Sequence, residues 1–231
     1  MTSAVKPGLV QRYKLAQRVV HWLGVGSFLI LLLSGLALLV PQLAFLAAGG
    51  LSRLLHRIAA VGFMLMPIVY VAIVPHDALE LLKESFTYTG KDLKWFKHMP
   101  AYVLGSTKGL PPAGRINAGQ KIHHAMTFIM FVTVAGSGLM LWFGQAGLGP
   151  EGLALVLSVH DMSMLGLTVL MIGHMYFTFL YGALTFLYGA LPAMTTGYVS
   201  EDYARMEHAE WYETLSPKTV AVTEGEDQKA A

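Results

Sequence analysis

Four of the nine histidines, His21, His56, His160 and His174, fall inside long runs that carry no formal charge or almost none. Holding a polar, ionisable ring away from water costs free energy, so an imidazole kept in such a run usually marks a site. One histidine alone reads as a hydrogen-bond partner between helices. Four in a defined arrangement read as ligands. His160 and His174 are 14 residues apart, which on a helix is about 21 Å of rise with the side chains within about 40° of one direction. One face of one helix therefore presents two imidazoles at two depths. His56, in the first turns of an earlier run, matches the level of His160, and His21, in the first turns of the first run, matches that of His174. Depth pairs His56 with His160 and His21 with His174. Two imidazoles saturate a haem iron axially, a coordination suited to electron transfer rather than oxygen binding. Two such haems at two depths would connect the faces of a bilayer. A zinc site needs three or four ligands converging at one level, which ligands about 20 Å apart on one helix do not supply. Cysteine is absent, which excludes a disulfide framework, iron–sulfur ligation by this chain and covalent c-type haem attachment.

The elements that must position these rings follow from where charge is missing. Of 231 residues, 55% are hydrophobic and 13% charged, against about a quarter charged in soluble domains. No formal charge lies between Arg18 and Arg53, Arg57 and Asp77, Lys121 and Glu151, or Asp161 and Glu201. Uncharged runs of about 20 residues are long enough to cross a bilayer as helix. The expected fold is an all-α integral membrane protein, a bundle of four transmembrane helices over about 15–40, 52–74, 118–143 and 153–181. Breakers agree with these ends: Pro41, the Gly49-Gly50 pair, Pro75, and the stretch from Gly147 to Pro150. Pro67 is expected to kink the second helix. Residues 1–213 read as one di-haem domain and 214–231 as a polar tail, disordered from Ala221 onward. The first run is too long for a signal-peptide core and reads as an uncleaved span.

Lysine and arginine crowd the leader, the 76–115 stretch and the tail, leaving Arg53 and Arg57 on the other side. Basic loops stay in the cytoplasm, so both termini are expected there, with the chain multi-pass in the bacterial cytoplasmic (inner) membrane. The 76–115 stretch interleaves leucine and aromatic side chains with lysines. It reads either as one interfacial amphipathic segment at headgroup level or as a surface for a partner. The net charge of +2 gives no case for nucleic acid. Small residues near the ligands (Ser34, Gly35, Gly62, Gly136, Gly138, Gly166 and Gly173) either admit a porphyrin or simply pack helices. Arg18, Arg53 and Arg57 either meet haem propionates or snorkel. His76, His98 and His208 read as surface residues rather than ligands.

The stretches Arg18-Val-Val-His21-Trp22, Leu33-Ser34-Gly35, Leu55-His56, Asn117-Ala-Gly-Gln120-Lys121, Val159-His160, His174-Met175-Tyr176, Gly197-Tyr-Val-Ser200 and His208-Ala-Glu-Trp211-Tyr212 together resemble the cytochrome b (gamma) subunit of membrane-bound respiratory formate dehydrogenase. The resemblance runs from about residue 12 to 213. It implies two b haems, an outer one on His56 and His160 and an inner one on His21 and His174. It implies electrons arriving from an iron–sulfur (beta) subunit, fed by a catalytic molybdenum or tungsten (alpha) subunit. It also implies reduction of menaquinone or ubiquinone near the cytoplasmic face, at a pocket that carries over to His174, Asn117, Gly119 and Gln120. Asn117 reads equally as a helix N-cap.

Two features depart from the family's pattern. His123 and His124 stand where it is apolar, lining the quinone pocket or its proton path, or forming a headgroup-level pair. Asp161 follows a haem ligand where a small residue is expected, and either pairs with Arg57 or faces an aqueous edge. The stretch from Ala183 to Met194 is more apolar than the family's, which leaves the end of the fourth helix open. The function expected is one half-reaction, quinone reduction. The alternatives are the cytochrome b of a nickel–iron hydrogenase or sulfur-compound reductase, a transporter with histidine proton relays, and a haem-free anchor.

Overall fold

A computed structural model describes residues 8–180 and 189–215. The 181 end of the fourth span, the 183–188 part of its apolar extension and the tail from 216 lie outside them. Four helices are long and apolar enough to cross a membrane. In chain order the elements are β1 (Leu9–Gln11), α1 (Leu15–Leu39), α2 (Leu51–Ile73), α3 (Pro75–Ser85), α4 (Gly90–Val103), α5 (Ala118–Phe143), α6 (Pro150–Met175), α7 (Ala190–Thr195), β2 (Tyr198–Ser200), α8 (Glu201–Glu207) and α9 (Ala209–Glu213). The long helices follow from runs of leucine, valine, isoleucine, methionine and alanine, whose main-chain groups must satisfy one another where water is absent. Gly49 and Gly50, with φ of 79° and 81°, turn the chain from α1 into α2, a conformation in which a Cβ would clash. Ser52 ties that turn by donating to the Leu46 carbonyl at 2.8 Å. The helix α2 continues through Pro67. The 76–115 stretch, read from sequence as an interfacial amphipathic segment or a partner surface, carries two helices, α3 and α4, parted by the Thr89 cap.

The chain divides into two compact units. The first comprises residues 16–80 and 126–170. Here α1 and α2 run antiparallel: a Cβ on Gly24 would meet the Met66 side chain, one on Gly62 would sit 2.9 Å from Ser27 Oγ, and Ser34 reaches His56. The α5 and α6 segments are also antiparallel, with Gly166 against Met130 and Gly138 against His160. Phe63 joins the two pairs through Phe131, ring centroids 5.1 Å apart. Polarity is inverted relative to a water-soluble bundle. Ser27, Ser34, Ser137 and Ser163 are buried while Leu33, Leu155 and Val169 face outward at 60% exposure or more. Lipid, as apolar as leucine, is the solvent such a surface suits.

The second unit comprises residues 1–15, 81–125 and 171–231. In it β1 pairs antiparallel with β2, Leu9 opposite Ser200 and Gln11 opposite Tyr198. Val10, Ala193, Val199, Tyr203 and Ala204 form a small core beneath that ribbon. A second cluster packs Trp95, Tyr102 and Ala118 with Phe177. The Thr89–Asp92 capping box opens α4, and Lys121 Nζ sits 2.9 Å from Asp92. Burial pushes the Asp92 carboxyl up, but hydrogen bonds from Lys121 and from the Thr89 backbone and hydroxyl outweigh it and hold the group below its ordinary value.

Candidate functional site

The first unit brings His56 of α2 and His160 of α6 together, ring centroids 6.3 Å apart. What fixes each ring is a Ser-Gly pair on the adjacent helix. Ser34 Oγ donates to its own helix at the Ile30 carbonyl, 2.6 Å away, so its lone pair is what faces His56 Nδ1 at 2.9 Å. Ser137 Oγ likewise donates to the Thr133 carbonyl at 2.7 Å and accepts from His160 Nδ1 at 3.1 Å. The Val134 carbonyl, 3.1 Å from the same nitrogen, can only accept. Both rings therefore carry their proton on Nδ1. That leaves the Nε2 lone pair of each ring available to a metal. Gly138 admits its ring, since a Cβ there would lie only 3.2 Å from His160 Cε1, whereas one on Gly35 would meet His56 Cε1 at an ordinary 3.5 Å.

This pair fits a haem iron. A metal–imidazole bond is about 2 Å and the ring centre lies about 1 Å behind the nitrogen, so rings about 6 Å apart would both be within reach of one metal ion held between them. Among the described residues no three His, Cys, Asp or Glu side chains converge as a metal cage would need. Sequence reasoning found both histidines and Ser34-Gly35 but passed over Ser137. Its signal was present: Ser-Gly-Leu recurs at 34–36 and 137–139, 22 and 23 residues before the two histidines. Arg57 lies over the Trp142 indole, 5.5 Å from the ring centre. Among the described residues it forms no ion pair with Asp161, which removes the first of the two alternatives for that acid and leaves the aqueous edge. Of the other small residues, Gly62 and Gly166 meet Ser27 and Met130, and Gly136 and Gly173 meet nothing within 4 Å.

His21 belongs to the first unit, edge-on to Trp22 with centroids 5.4 Å apart. His174 belongs to the second, in the last turn of α6 just before a π-helical turn over Tyr176–Leu180. Its ring is stacked on His123, centroids 5.6 Å apart and planes 12° apart, and His123 in turn neighbours His124 at 5.9 Å. His123 and His124 are thus half-buried beside His174.

Asn117 and Gln120 engage each other. Asn117 Oδ1 accepts from the Gln120 amide nitrogen and Gln120 Oε1 from that of Asn117, both at 2.9 Å. This reciprocal cap opens α5 and satisfies two of its orphan donors. Gln120 Nε2 is left outside the cap. Gly119 allows Trp95 its place, since a Cβ there would stand 2.6 Å from the indole. His208 corrects another expectation. It is 2% exposed, its Nδ1 bonded to the Gly114 carbonyl at 3.0 Å, so it belongs to the interior of its unit. Burial and the nearby Arg12 push its pKa down to about 3 against the pull of that carbonyl. His76 remains at the surface, and His98 bonds the Lys94 carbonyl of its own helix.

A family model for prokaryotic cytochrome b561 matches residues 12–197. The formate dehydrogenase cytochrome b556(fdo) subunit of Escherichia coli (strain K12) is 26% identical over 218 residues, 91% of this chain and 95% of the relative. The cytochrome b556(Fdn) subunit of the nitrate-inducible formate dehydrogenase of the same strain is 25% identical over 234 residues, 96% of this chain and 98% of that one. The formate dehydrogenase cytochrome b556 subunit of Haemophilus influenzae is 22% identical over 207 residues, 87% and 81% of the two chains. Together with the four apolar spans, these matches make the protein a multi-pass cytochrome b of the bacterial inner membrane. The chain belongs to the prokaryotic cytochrome b561 family, and electron transport by haem b is its class of activity.

Proposed function

We propose that the chain binds two b haems and carries electrons from an iron–sulfur partner subunit to a quinone, menaquinone or ubiquinone, near the cytoplasmic face. Haem b, when bound, would supply reversible one-electron transfer, and His56, His160, His21 and His174 are the residues that would hold it. His56 and His160 hold the outer haem through Nε2, and Ser34 and Ser137 keep both rings in the required tautomer. His21 and His174 serve the inner haem, on the strength of the 14-residue spacing that gives α6 two imidazoles on one side. The observation that carries this reading is the 6.3 Å pair with both Nδ1 atoms already committed. Gln120, whose side-chain Nε2 is left over from the helix cap, and His174 offer the polar contacts for a quinone, with Asn117 and Gly119 shaping the same segment.

The full-length relatives named as formate dehydrogenase subunits favour that enzyme's iron–sulfur and molybdenum or tungsten subunits as partners, with both termini and the 76–115 stretch on the cytoplasmic side. Pyridine haemochrome analysis of the purified chain should give two b haems. His56→Ala and His160→Ala should each abolish the outer haem's share of the reduced-minus-oxidised α band, and full absorbance in either variant refutes that pairing. The large subunit that co-purifies with the chain distinguishes formate dehydrogenase from a hydrogenase or sulfur-compound reductase.

A further inference from the structure

Beside the Asn117–Gln120 cap is a cavity of about 120 Å³, with Trp95, Thr107, Pro111, Asn117 and Glu207 on its wall. A water needs about 10–15 Å³ of such space, so several fit. Among the described residues that line it, Glu207 is the one ionisable group. Glu207 is 9% exposed. Tyr102 donates its hydroxyl hydrogen to Glu207 Oε2 at 3.4 Å, and Asn117 Nδ2 donates to the Tyr102 oxygen at 3.5 Å. Both bonds are long, as proton-transfer contacts often are before a substrate binds.

Tyr102 bonds Glu207 from α4, and His208, next in the chain, turns to the Gly114 carbonyl. Among the described residues, the cation nearest His208, Arg12, lies over the Trp211 ring, 4.3 Å from its centre, and bonds the Arg115 carbonyl. Arg115 pairs with Glu84, Lys121 with Asp92 and Lys91 with Glu210. Among the described residues the buried Glu207 carboxyl has one long hydrogen bond and no ion-pair partner, so its desolvation is poorly offset. Burial pushes its pKa up, the Tyr102 bond pulling part of the way back, so it keeps a proton to higher pH than a surface glutamate.

We propose that Glu207 is the acid that draws protons from this cavity and hands them, through Tyr102, to a quinone held beside Asn117. The inference rests on the quinone reading above. Each quinone reduced to quinol takes two electrons from the reduced cytochrome and two protons. The Tyr102 hydroxyl first turns from Glu207 Oε2 towards the quinone, so that protonated Glu207 becomes the donor of the bond between them. Glu207 then gives its proton to the Tyr102 oxygen as the hydroxyl releases its own to the quinone. The Glu207 carboxylate then regains a proton from cavity water, and the sequence runs twice.

The test uses the complex purified with its partner subunits, its haems reduced with stoichiometric dithionite. Reoxidation by decylubiquinone or menadione, and separately by ferricyanide, is followed at the b-type α band in H2O and D2O. Glu207→Gln should slow quinone-driven reoxidation roughly tenfold or more, the loss expected when a positioned proton donor is removed. It should enlarge the solvent isotope effect and leave the ferricyanide rate unchanged, while Glu207→Asp and added azide each restore part of the quinone rate. A Glu207→Gln complex as fast as the unaltered one with quinone overturns the inference and leaves the quinone reading standing. An unaltered complex that ferricyanide reoxidises and neither quinone does overturns both. Should Glu207→Gln fail to retain haem, Tyr102→Phe must reproduce the slow quinone phase, and a normal rate there overturns the proposal.

Discussion

Two serines decide what the His56–His160 pair can do, because each spends its hydrogen on its own helix and leaves the imidazole to donate. Partners of this kind typically change metal affinity by about 10–100-fold when removed. Ser137→Ala is therefore expected to weaken haem retention about tenfold, read as haem per chain after dilution and gel filtration. Gly138→Ala should be the more damaging of the two glycine substitutions, because its methyl would press on His160 at 3.2 Å, whereas that of Gly35→Ala would meet His56 at ordinary contact distance. His208 gives a pH prediction. Its folded pKa of about 3 lies below the ordinary value near 6.5. Between those values the unfolded chain binds a proton that the folded one refuses, so stability falls as pH drops through this window, by at most about 1.4 kcal/mol per pH unit. Thermal midpoints measured from pH 7 to pH 5 should decline less in His208→Asn, whose amide can still donate to Gly114. The histidine pair was legible from spacing alone, because helical rise converts sequence separation into depth. Burial of His208 was not, since it depends on a carbonyl 94 residues away in the chain.

Helix boundaries follow local rules, which is why Gly49-Gly50, Pro75 and the turn before Pro150 located them within a few residues. The 76–115 stretch was harder. Its lysines and aromatics give a composition suited to an interface, and only the Thr89–Asp92 capping box reveals that one helix ends and another begins. Asn117 carries two roles that spacing cannot separate, and substitution can. Asn117→Ala should cost about 1 kcal/mol of stability through loss of the cap, read by thermal unfolding. Asn117→Ser should recover most of that, because a hydroxyl caps nearly as well. Quinone turnover should stay low in both, since neither supplies the amide.

On the scale of the molecule, the outward leucines and inward serines say which solvent the bundle was selected for, and composition alone was enough to anticipate it. Orientation is testable directly because the chain lacks cysteine. A single cysteine placed at Lys6 should react with a membrane-impermeant maleimide only in inside-out vesicles, and one at Gln145 only in intact cells stripped of their outer membrane; the reverse pattern refutes the assigned topology. The division into two units was not visible in sequence, because each unit gathers segments far apart in the chain. The serine-held imidazoles bear on the scaffold as well. Each hydroxyl spends its hydrogen on its own helix and accepts from a ring on the neighbouring one, so Ser34→Ala and Ser137→Ala should loosen the α1–α2 and α5–α6 seams as well as free the rings to turn.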